Sequence, residues 1–404
     1  MQQGIRLLLM GDQFQIRFGD LHLPEKQENN FPSKPLDKKR LRTGFTTGTC
    51  AAAATKLALA ALLENTKHDT VTINLPKGGS IELKCAWIKI ENDNKVTAAV
   101  IKDAGDDPDV TNGAEICATV SLIRSTPNIM IDGGDGVGRV TKPGLGLEIG
   151  KAAINPVPMK MIKKAVQDVI GAGNKDFGVS IVISVPGGQE IAKKTDNPRL
   201  GILGGISILG TSGIVIPYST SSFAASIRQS IDVSAAMKST TVILTTGGRS
   251  EEFARQLFDE KVPDHGYIQV GDFIGYAIRH CSAKKIQTAI IGGFVGKLTK
   301  MAMGVKQTHV RGSHVDMEFM ANVAFDCGST SEIASQIRRA NTARHVSEII
   351  DSNKIEGFYD SLCKKVHTQL SEYCDYRVEI IAVMFDFNGK VVGKYPSASS
   401  HIEY

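Results

Sequence analysis

Thr241-Val-Ile-Leu-Thr-Thr-Gly-Gly248 begins the most regular part of this sequence. Its first five residues are β-branched or apolar, as in a buried strand, and the two glycines favour a tight turn. A helical pattern follows from Ser250 to Phe258. A strand, a glycine turn and a helix in this order predict part of a parallel βαβ unit.

The same order recurs along the next part of the chain. Further strands are predicted at Tyr267–Val270 and Thr288–Ile291, further helices at Phe273–Cys281 and Val295–Met303, and a last strand at Val378–Phe385. Because parallel strands need crossover connections, this pattern predicts a mainly parallel sheet. We therefore expect residues 239–404 to form a Rossmann-like α/β domain, smaller than the domain before it.

The preceding part of the chain mixes helices and strands without strict alternation. Helices are predicted at Thr49–Leu63, Ala114–Ile123, Pro158–Ile170 and Ser222–Lys238, and strands at Val71–Leu75, Ile81–Ile88, Val96–Ile101, Ile129–Ile131 and Phe177–Val185. This mixture predicts an α+β domain over residues 41–238. Residues 1–40 end in a polar, proline-containing stretch with a basic run, which favours an N-terminal extension or linker.

The overall composition is that of a globular protein. Of 404 residues, 42% are hydrophobic and 22% are charged, which argues against a disordered chain. The formal net charge of +5 is too weak to indicate nucleic-acid binding, but it suits an anionic small molecule. No apolar run approaches the ~20 residues of a membrane span, so we expect no membrane association and a cytoplasmic location.

The cysteines argue against structural metal and disulfide frameworks. There are seven, an odd number, and none of them forms a C-x-x-C pair. Paired spacings of that kind are typical of structural zinc sites, and disulfide scaffolds usually have an even number of cysteines. We therefore predict that the protein binds no metal of its own.

Leu41–Cys50 precedes the alanine-rich helix and contains two glycines and four threonines. Glycine permits close approach to a ligand, while threonine hydroxyls and the free N–H groups of a first helical turn bind anions. The alternative is an ordinary N-cap with a flexible lead-in. The candidate substrate-binding residues here are Arg42, Thr43, Gly44, Thr46 and Thr47.

Lys102–Glu115 is rich in carboxylates, which suggests a cation site, an acid/base group or simply an acidic turn. Read from Asp107, the calcium-loop pattern has Asn112 in place of its glycine and Ala118 in place of its closing acid. Asp103 and Asp106 remain candidates for acid/base catalysis.

Two later segments combine glycines with basic residues. They are Asp132–Gly146 and Val185–Gly201, and both are predicted as loops. Arginine and lysine on such loops suit a ligand that carries carboxylates. The candidates are Arg139, Lys142, Lys193, Lys194 and Arg199.

The glycine turns after residue 240 favour a nucleoside or sulfonium ligand, because such ligands bind at the carboxyl ends of parallel strands. Ile291–Thr299 imitates a phosphate loop, but Ile291 replaces its first glycine and Leu298 its Ser or Thr, which disfavours a kinase or ATPase. The candidate cofactor residues are Gly247, Gly248, Asp272, Gly292, Gly293 and Gly296. His309 is a candidate acid/base group, and its five-residue spacing from His314 disfavours zinc.

In their order and length, these segments resemble the cobalt-precorrin-5B C1-methyltransferase family. The resemblance rests on Arg42–Ala54, Lys102–Glu115, Gly136–Gly144, Ala153–Pro158, Val185–Gly213 and Gly296–Lys300. It covers the chain from about Leu41 to Lys394 and leaves the N-terminal extension outside.

The resemblance implies an enzyme of cobalamin biosynthesis that uses S-adenosylmethionine. It would methylate ring carbon C1 of cobalt-precorrin-5B, an anionic tetrapyrrole, and give cobalt-precorrin-6A, with cobalt carried by the substrate only. The alternative is a non-catalytic tetrapyrrole-binding or transfer protein of the same pathway. A homo-oligomer is also left open.

Overall fold

The computed structural model describes residues 41–124, 128–171, 177–309 and 312–396, and its architecture is mixed α/β. The predicted extension, residues 1–40, lies outside the described residues. None of the helices in the described ranges is both long and apolar enough to cross a membrane.

The strands and helices are numbered along the chain. The strands are β1 Gly44–Phe45, β2 Thr70–Asn74, β3 Ser80–Lys84, β4 Trp87–Asn92, β5 Lys95–Ile101, β6 Glu115–Arg124, β7 Ile129–Gly133, β8 Gly136–Val137, β9 Arg139–Val140, β10 Phe177–Ser184, β11 Ile202–Leu203, β12 Gly205–Ile206, β13 Ile214–Val215, β14 Thr241–Thr245, β15 Tyr267–Gln269, β16 Thr288–Phe294, β17 Glu379–Phe385 and β18 Val391–Tyr395. The helices are α1 Thr47–Glu64, α2 Pro156–Ile170, α3 Gly188–Ala192, α4 Thr220–Ala236, α5 Gly248–Phe258, α6 Ile274–Ala283, α7 Val295–Ala302, α8 Met317–Asp326, α9 Ser331–Arg338, α10 Ala343–Ser352 and α11 Phe358–Tyr373.

The first large sheet has the strand order β4-β5-β6-β10-β7 and is antiparallel except for the parallel β10–β7 pair. Helix α1 packs against it and α2 packs against α1, and apolar side chains of both helices share one core with the sheet. The alanine-rich run therefore forms the predicted helix because its small side chains allow close packing on the strands and on α2.

The helix predicted at Ala114–Ile123 is wrong, since this segment is strand β6 and pairs with both β5 and β10. Ile116, Ala118 and Val120 alternate along it and are fully buried in the core beneath α1. Burial at a period of two residues explains the strand, and tertiary pairing overrides the local helical preference of alanine and glutamate.

The second large sheet has the order β15-β14-β16-β17-β18. Its first four strands are parallel, as predicted, and β18 joins as an antiparallel edge. Along β14, Val242 and Leu244 contribute to a large core with α6, α7 and α11, while Ile243 contributes to a smaller core with α5. Helices thus cover both faces of this sheet, which explains its nearly continuous apolar strands.

Helix α4 contacts parts of the chain on both sides of the predicted boundary at residue 238. Ile227 and Ile231 pack in the core of the parallel sheet, whereas Val233 packs with Val140 and Ile202. The division of the chain into domains at residue 238 stays a prediction.

Candidate functional site

Three of the predicted cofactor segments meet at one edge of the parallel sheet. In the register of the strands, Thr245 of β14 lies opposite both Gln269 of β15 and Gly292 of β16. Because the strands run in the same direction, the segments that follow them leave the sheet on the same side. Thr246–Gly248, Val270–Phe273 and the start of α7 are therefore neighbours.

Asp272 is the centre of a polar network at this edge. Its Oδ1 accepts a hydrogen bond of 3.0 Å from the Thr308 hydroxyl and lies 3.2 Å from the Lys297 ammonium. Its Oδ2 accepts no hydrogen bond from any residue in the described part of the chain. The side chain is 23% exposed, so it is partly accessible to a ligand.

Lys297 joins the three segments. Besides its ion pair with Asp272, its ammonium donates a hydrogen bond of 2.8 Å to the carbonyl of Thr246. The side chain of this lysine therefore spans from the turn after β14 to the loop after β15. The first turn of α7, where Lys297 lies, supplies the third segment.

The turn at Gly247–Gly248 borders open space. A Cβ at Gly247 would meet nothing within 4 Å, and one at Gly248 would meet only the Gln269 side chain at 3.9 Å. No side chain caps α5, which begins here. The first N–H groups of this helix can therefore bind an anionic group of a ligand.

The glycine pair at 292–293 does not form the predicted turn, because β16 continues through it to Phe294. A Cβ at Gly293 would lie 2.5 Å from Leu298 and 2.9 Å from Thr246. These two contacts show that Gly293 allows α7 and the 246 turn to pack closely on the strand. A Cβ at Gly292 would lie 3.3 Å from the Phe385 side chain, and one at Gly296 would make an ordinary contact of 3.8 Å with Ala343.

Lys300 is a buried lysine that the sequence analysis did not single out. Its residue is 6% exposed, and its ammonium donates a hydrogen bond of 3.0 Å to the Thr308 carbonyl. The largest effect on its pKa is burial, which lowers it, and the nearby Asp272 opposes this shift. The sequence did contain a signal for Lys300, because a spacing of three residues places Lys297 and Lys300 on the same face of α7.

His309 follows Thr308 directly and is exposed. Its carbonyl accepts hydrogen bonds from the backbone N–H groups of Gly312 and Ser313. The predicted acid/base residue is thus the sequence neighbour of Thr308, which bonds to Asp272.

The predicted anion site before α1 is a second, separate cluster, and its hydroxyls bond within the chain. Thr46 caps α1 by accepting from the Thr49 N–H at 3.2 Å. Thr47 accepts from the Leu209 N–H at 2.8 Å and donates to the Leu209 carbonyl at 3.1 Å. Both threonines are buried. Their hydrogen bonds fix the start of α1 against the loop that contains Leu209.

Arg42 brings this cluster together with the acidic loop. Its guanidinium pairs with Asp103, and its backbone N–H donates to Asp106 at 2.6 Å. The hydrogen bond from Arg42 is the main reason why the pKa of Asp103 lies below its usual value. A Cβ at Gly44 would lie 2.2 Å from the Ala104 backbone, so this glycine permits close approach of two chain segments. Thr43 is exposed next to it.

The predicted basic residues divide into exposed and enclosed ones. Arg139 pairs with Asp132 at 2.7 Å and Lys193 with Glu190 at 2.7 Å, with every partner exposed. Lys194 is exposed and, within the described ranges, has no ion-pair partner. By contrast, Arg199 pairs at 2.8 Å with Glu251, whose side chain is 5% exposed.

Lys142 and Arg199 are also connected to each other. The Lys142 ammonium donates a hydrogen bond of 3.0 Å to the Arg199 carbonyl. The Arg199 guanidinium donates to the carbonyl of Tyr267 at 3.3 Å, at the start of β15. This pair therefore lies where the glycine loops contact the parallel sheet. Over the described residues, no group of three His, Cys, Asp or Glu side chains is arranged to hold a metal ion.

A polar network at the carboxyl edge of a parallel sheet is characteristic of α/β proteins that bind small molecules. Comparison of the sequence with known families then gives a specific assignment. The family model CbiD matches residues 34–217, and the model of the CbiD C-terminal domain matches residues 307–396. The chain belongs to the CbiD family, which confirms the resemblance stated above.

Several relatives are similar over nearly their whole length. A protein of Geobacillus kaustophilus is 45% identical over 88% of this chain and 95% of its own, and one of Leptospira interrogans is 44% identical over 90% and 98%. One of Priestia megaterium is 42% identical over 89% and 98%. All three are named cobalt-precorrin-5B C(1)-methyltransferase.

A crystal structure of a cobalamin biosynthesis protein (CbiD) from Archaeoglobus fulgidus is also similar. It is 30% identical and covers 65% of this chain and 80% of that chain, with a TM-score of 0.35. The family assignment rests on the sequence matches.

Proposed function

We propose that this chain is a C-methyltransferase of cobalamin biosynthesis that methylates carbon C1 of cobalt-precorrin-5B and gives cobalt-precorrin-6A. The support is the shared name of relatives that are 42–45% identical and almost entirely covered by this chain. Cobalt belongs to the substrate in this proposal, and the methyl donor is S-adenosylmethionine.

The donor site that we propose is the carboxyl edge of the parallel sheet, taken as a Rossmann-like nucleoside-binding unit over residues 239–404. The single observation that carries it is Asp272, whose Oδ1 is held by Lys297 and Thr308 while Oδ2 has no partner among the described residues. A carboxylate held in this way can accept hydrogen bonds from ribose hydroxyls or from an ammonium group. The open space at Gly247–Gly248 lies on the neighbouring strand end.

The donor, when bound, supplies an electrophilic methyl group on a sulfonium to an electron-rich ring carbon. The task of the chain is then mainly to hold two ligands in the right orientation, which is worth roughly 7–11 kcal/mol in well-oriented reactions. Gly247 and Gly248 border the donor site in this proposal, and Gly293 lets α7 and the 246 turn pack closely on β16. His309 is our candidate for moving a proton, because it adjoins Thr308 in the Asp272 network.

The substrate site that we propose lies on the glycine loops of residues 41–238. The acetate and propionate groups of a tetrapyrrole would bind to exposed cations, and the candidates are Arg42, Arg139, Lys193 and Lys194. The exposed Lys193–Glu190 pair is worth only about 0–1 kcal/mol, so a substrate carboxylate can replace Glu190 at low cost. Arg139 binds Asp132 through two hydrogen bonds, and a substrate carboxylate would replace Asp132 by making the same bidentate contact. Arg199 and Lys142 would then hold the loops against the parallel sheet, close to the bound substrate.

The test is an anaerobic incubation of the protein with purified cobalt-precorrin-5B and methyl-labelled S-adenosylmethionine. We expect one label per product molecule, and we expect Asp272→Asn to lower the rate at subsaturating donor by at least about tenfold. Asp326→Asn is the matched control, because Asp326 is an exposed aspartate of α8 outside the network.

Two outcomes contradict the proposal. Substrate binding with no transfer of label favours the non-catalytic tetrapyrrole-binding protein. If Asp272→Asn transfers the label at an unchanged rate, the methylation reaction stands as proposed, but the donor does not bind at this edge of the sheet.

A further inference from the structure

Lys300 and Thr308 form a connected path to the Asp272 carboxylate. The Lys300 ammonium donates to the Thr308 carbonyl at 3.0 Å, and the Thr308 hydroxyl donates to Asp272 Oδ1 at 3.0 Å. The backbone N–H of Thr308 also donates to the backbone carbonyl of Asp272 at 3.0 Å. Thr308 is 1% exposed, so solvent does not compete for these bonds.

A lysine at this position has an energetic cost that calls for an explanation. Burying an ammonium group disfavours its charged form, and an aliphatic side chain of the same length would avoid that cost. Within the described ranges, the Lys300 ammonium makes one hydrogen bond, and its acceptor is the residue that holds Asp272. The identity of that acceptor distinguishes Lys300 from Lys306, whose ammonium donates to the carbonyl of Gln369, outside the Asp272 network.

We propose that Lys300 and Thr308 are positioning residues of the donor site, which hold Asp272 with Oδ1 occupied and Oδ2 directed to the ligand. This inference rests on the proposed function, because it assigns a role to residues behind the proposed donor carboxylate. In this arrangement, neither Lys300 nor Thr308 contacts the donor. Their effect on binding passes entirely through the orientation of Asp272.

The test measures the affinity for S-adenosylhomocysteine by calorimetry in a set of full-length variants. Lys300→Met removes the ammonium with little change of volume, and we expect the affinity to fall roughly tenfold. Lys306→Met is the matched control, because Lys306 is also buried enough to lower its pKa and donates to a backbone carbonyl, that of Gln369, at 3.0 Å. We expect its affinity to stay within about twofold.

A double variant separates positioning from a general structural effect. If Lys300 acts through Asp272, Lys300→Met combined with Asp272→Asn binds about as weakly as Asp272→Asn alone, because the two changes disable one interaction. The proposal is contradicted if the double variant loses as much affinity as the two single variants together. It is also contradicted if Lys300→Met binds S-adenosylhomocysteine with unchanged affinity. Circular dichroism checks folding, and if Lys300→Met does not fold, Thr308→Val tests the same path with the same expected loss.

The outcomes also distinguish this inference from the proposed function. If Asp272→Asn binds S-adenosylhomocysteine like the unchanged protein, the donor site itself is wrong and both proposals fall. If Asp272→Asn binds weakly while Lys300→Met and Thr308→Val bind normally, the donor site stands and only the positioning role is refuted.

Discussion

At the scale of single residues, the charged side chains of this protein serve two purposes. Lys102 is 2% exposed and pairs at 2.6 Å with Asp109, which is 25% exposed, so this pair is largely enclosed. Arg139 is 42% exposed and pairs with a carboxylate that is 56% exposed. The enclosed pair contributes to stability, whereas we assign the accessible one to substrate binding.

Arg139→Ala should weaken substrate binding without changing donor affinity. One lost charge-assisted contact is worth about 1.5–3 kcal/mol, which is roughly 10- to 150-fold in affinity. Arg338→Ala is the matched control, since Arg338 is 41% exposed and its partner Glu318 is 56% exposed. Calorimetry with cobalt-precorrin-5B measures both variants, and equal affinities would remove Arg139 from the substrate site.

Asp109→Asn should destabilise the protein at neutral pH by about 3–5 kcal/mol, because it leaves the Lys102 ammonium buried without its partner. Burial raises the pKa of Asp109, but Lys102 and the hydrogen bonds outweigh it, so the pKa lies below its usual value. An aspartate whose pKa is lower in the folded than in the unfolded protein stabilises the fold at pH values above the unfolded pKa of about 3.9. This stabilisation is lost as the pH falls through the folded pKa. Urea unfolding should therefore show a difference in the free energy of unfolding between the unchanged protein and Asp109→Asn, and this difference should shrink below about pH 4.

At the scale of helices and strands, local composition predicted the elements whose residue types agree with their final structure. The helix predicted at Thr49–Leu63 is confirmed as α1, and the strand predicted at Thr241–Thr245 is confirmed as β14. Ala114–Ile123 was predicted wrongly because its alanines and glutamate favour a helix while its neighbours in space impose a strand. Among the described residues, five helices lie between β16 and β17, and only α7 of these was predicted. Signals for others were present in the sequence, since Thr330 and Thr342 are the N-caps of α9 and α10.

The candidate site was predictable only in part, for a similar reason. Gly247, Gly248 and Asp272 could be located from the sequence, because they follow short apolar strands, whereas β16 continues through Gly292 and Gly293. Lys297, Lys300 and Thr308 depend on hydrogen bonds to residues distant in sequence, such as Lys297 to Thr246. No local pattern encodes such a contact.

Phe223→Ala should weaken S-adenosylhomocysteine binding by a few-fold. The Phe223 ring lies within 3.2 Å of a Cβ built on Gly271 and packs on Phe273 with ring centroids 5.4 Å apart, so it supports both neighbours of Asp272. Aromatic pairs of this kind are worth about 0.5–1.5 kcal/mol. Phe325→Ala is the control, an exposed phenylalanine of α8. Equal calorimetric affinities of the two variants would show that α4 does not support the donor loop.

At the scale of the whole molecule, the glycine loops and the parallel sheet are connected by specific contacts. Arg199 pairs with Glu251 of α5, and Gly144 packs so closely on α4 that a Cβ there would lie 2.6 Å from the Asp232 carbonyl oxygen. A methyl transfer between two bound ligands requires such a fixed relation between their sites.

Hydrogen exchange followed by mass spectrometry, with and without S-adenosylhomocysteine, tests the location of the donor site most directly. The account predicts that the ligand slows exchange in peptides that contain Thr246–Gly248, Gly271–Phe273 and Thr308–His309, all of which surround Asp272. Peptides that contain Arg42–Thr49 should exchange at the same rate in both samples. Slower exchange confined to Arg42–Thr49 and the acidic loop at Asp103–Asp106 would contradict the account and place the donor before α1.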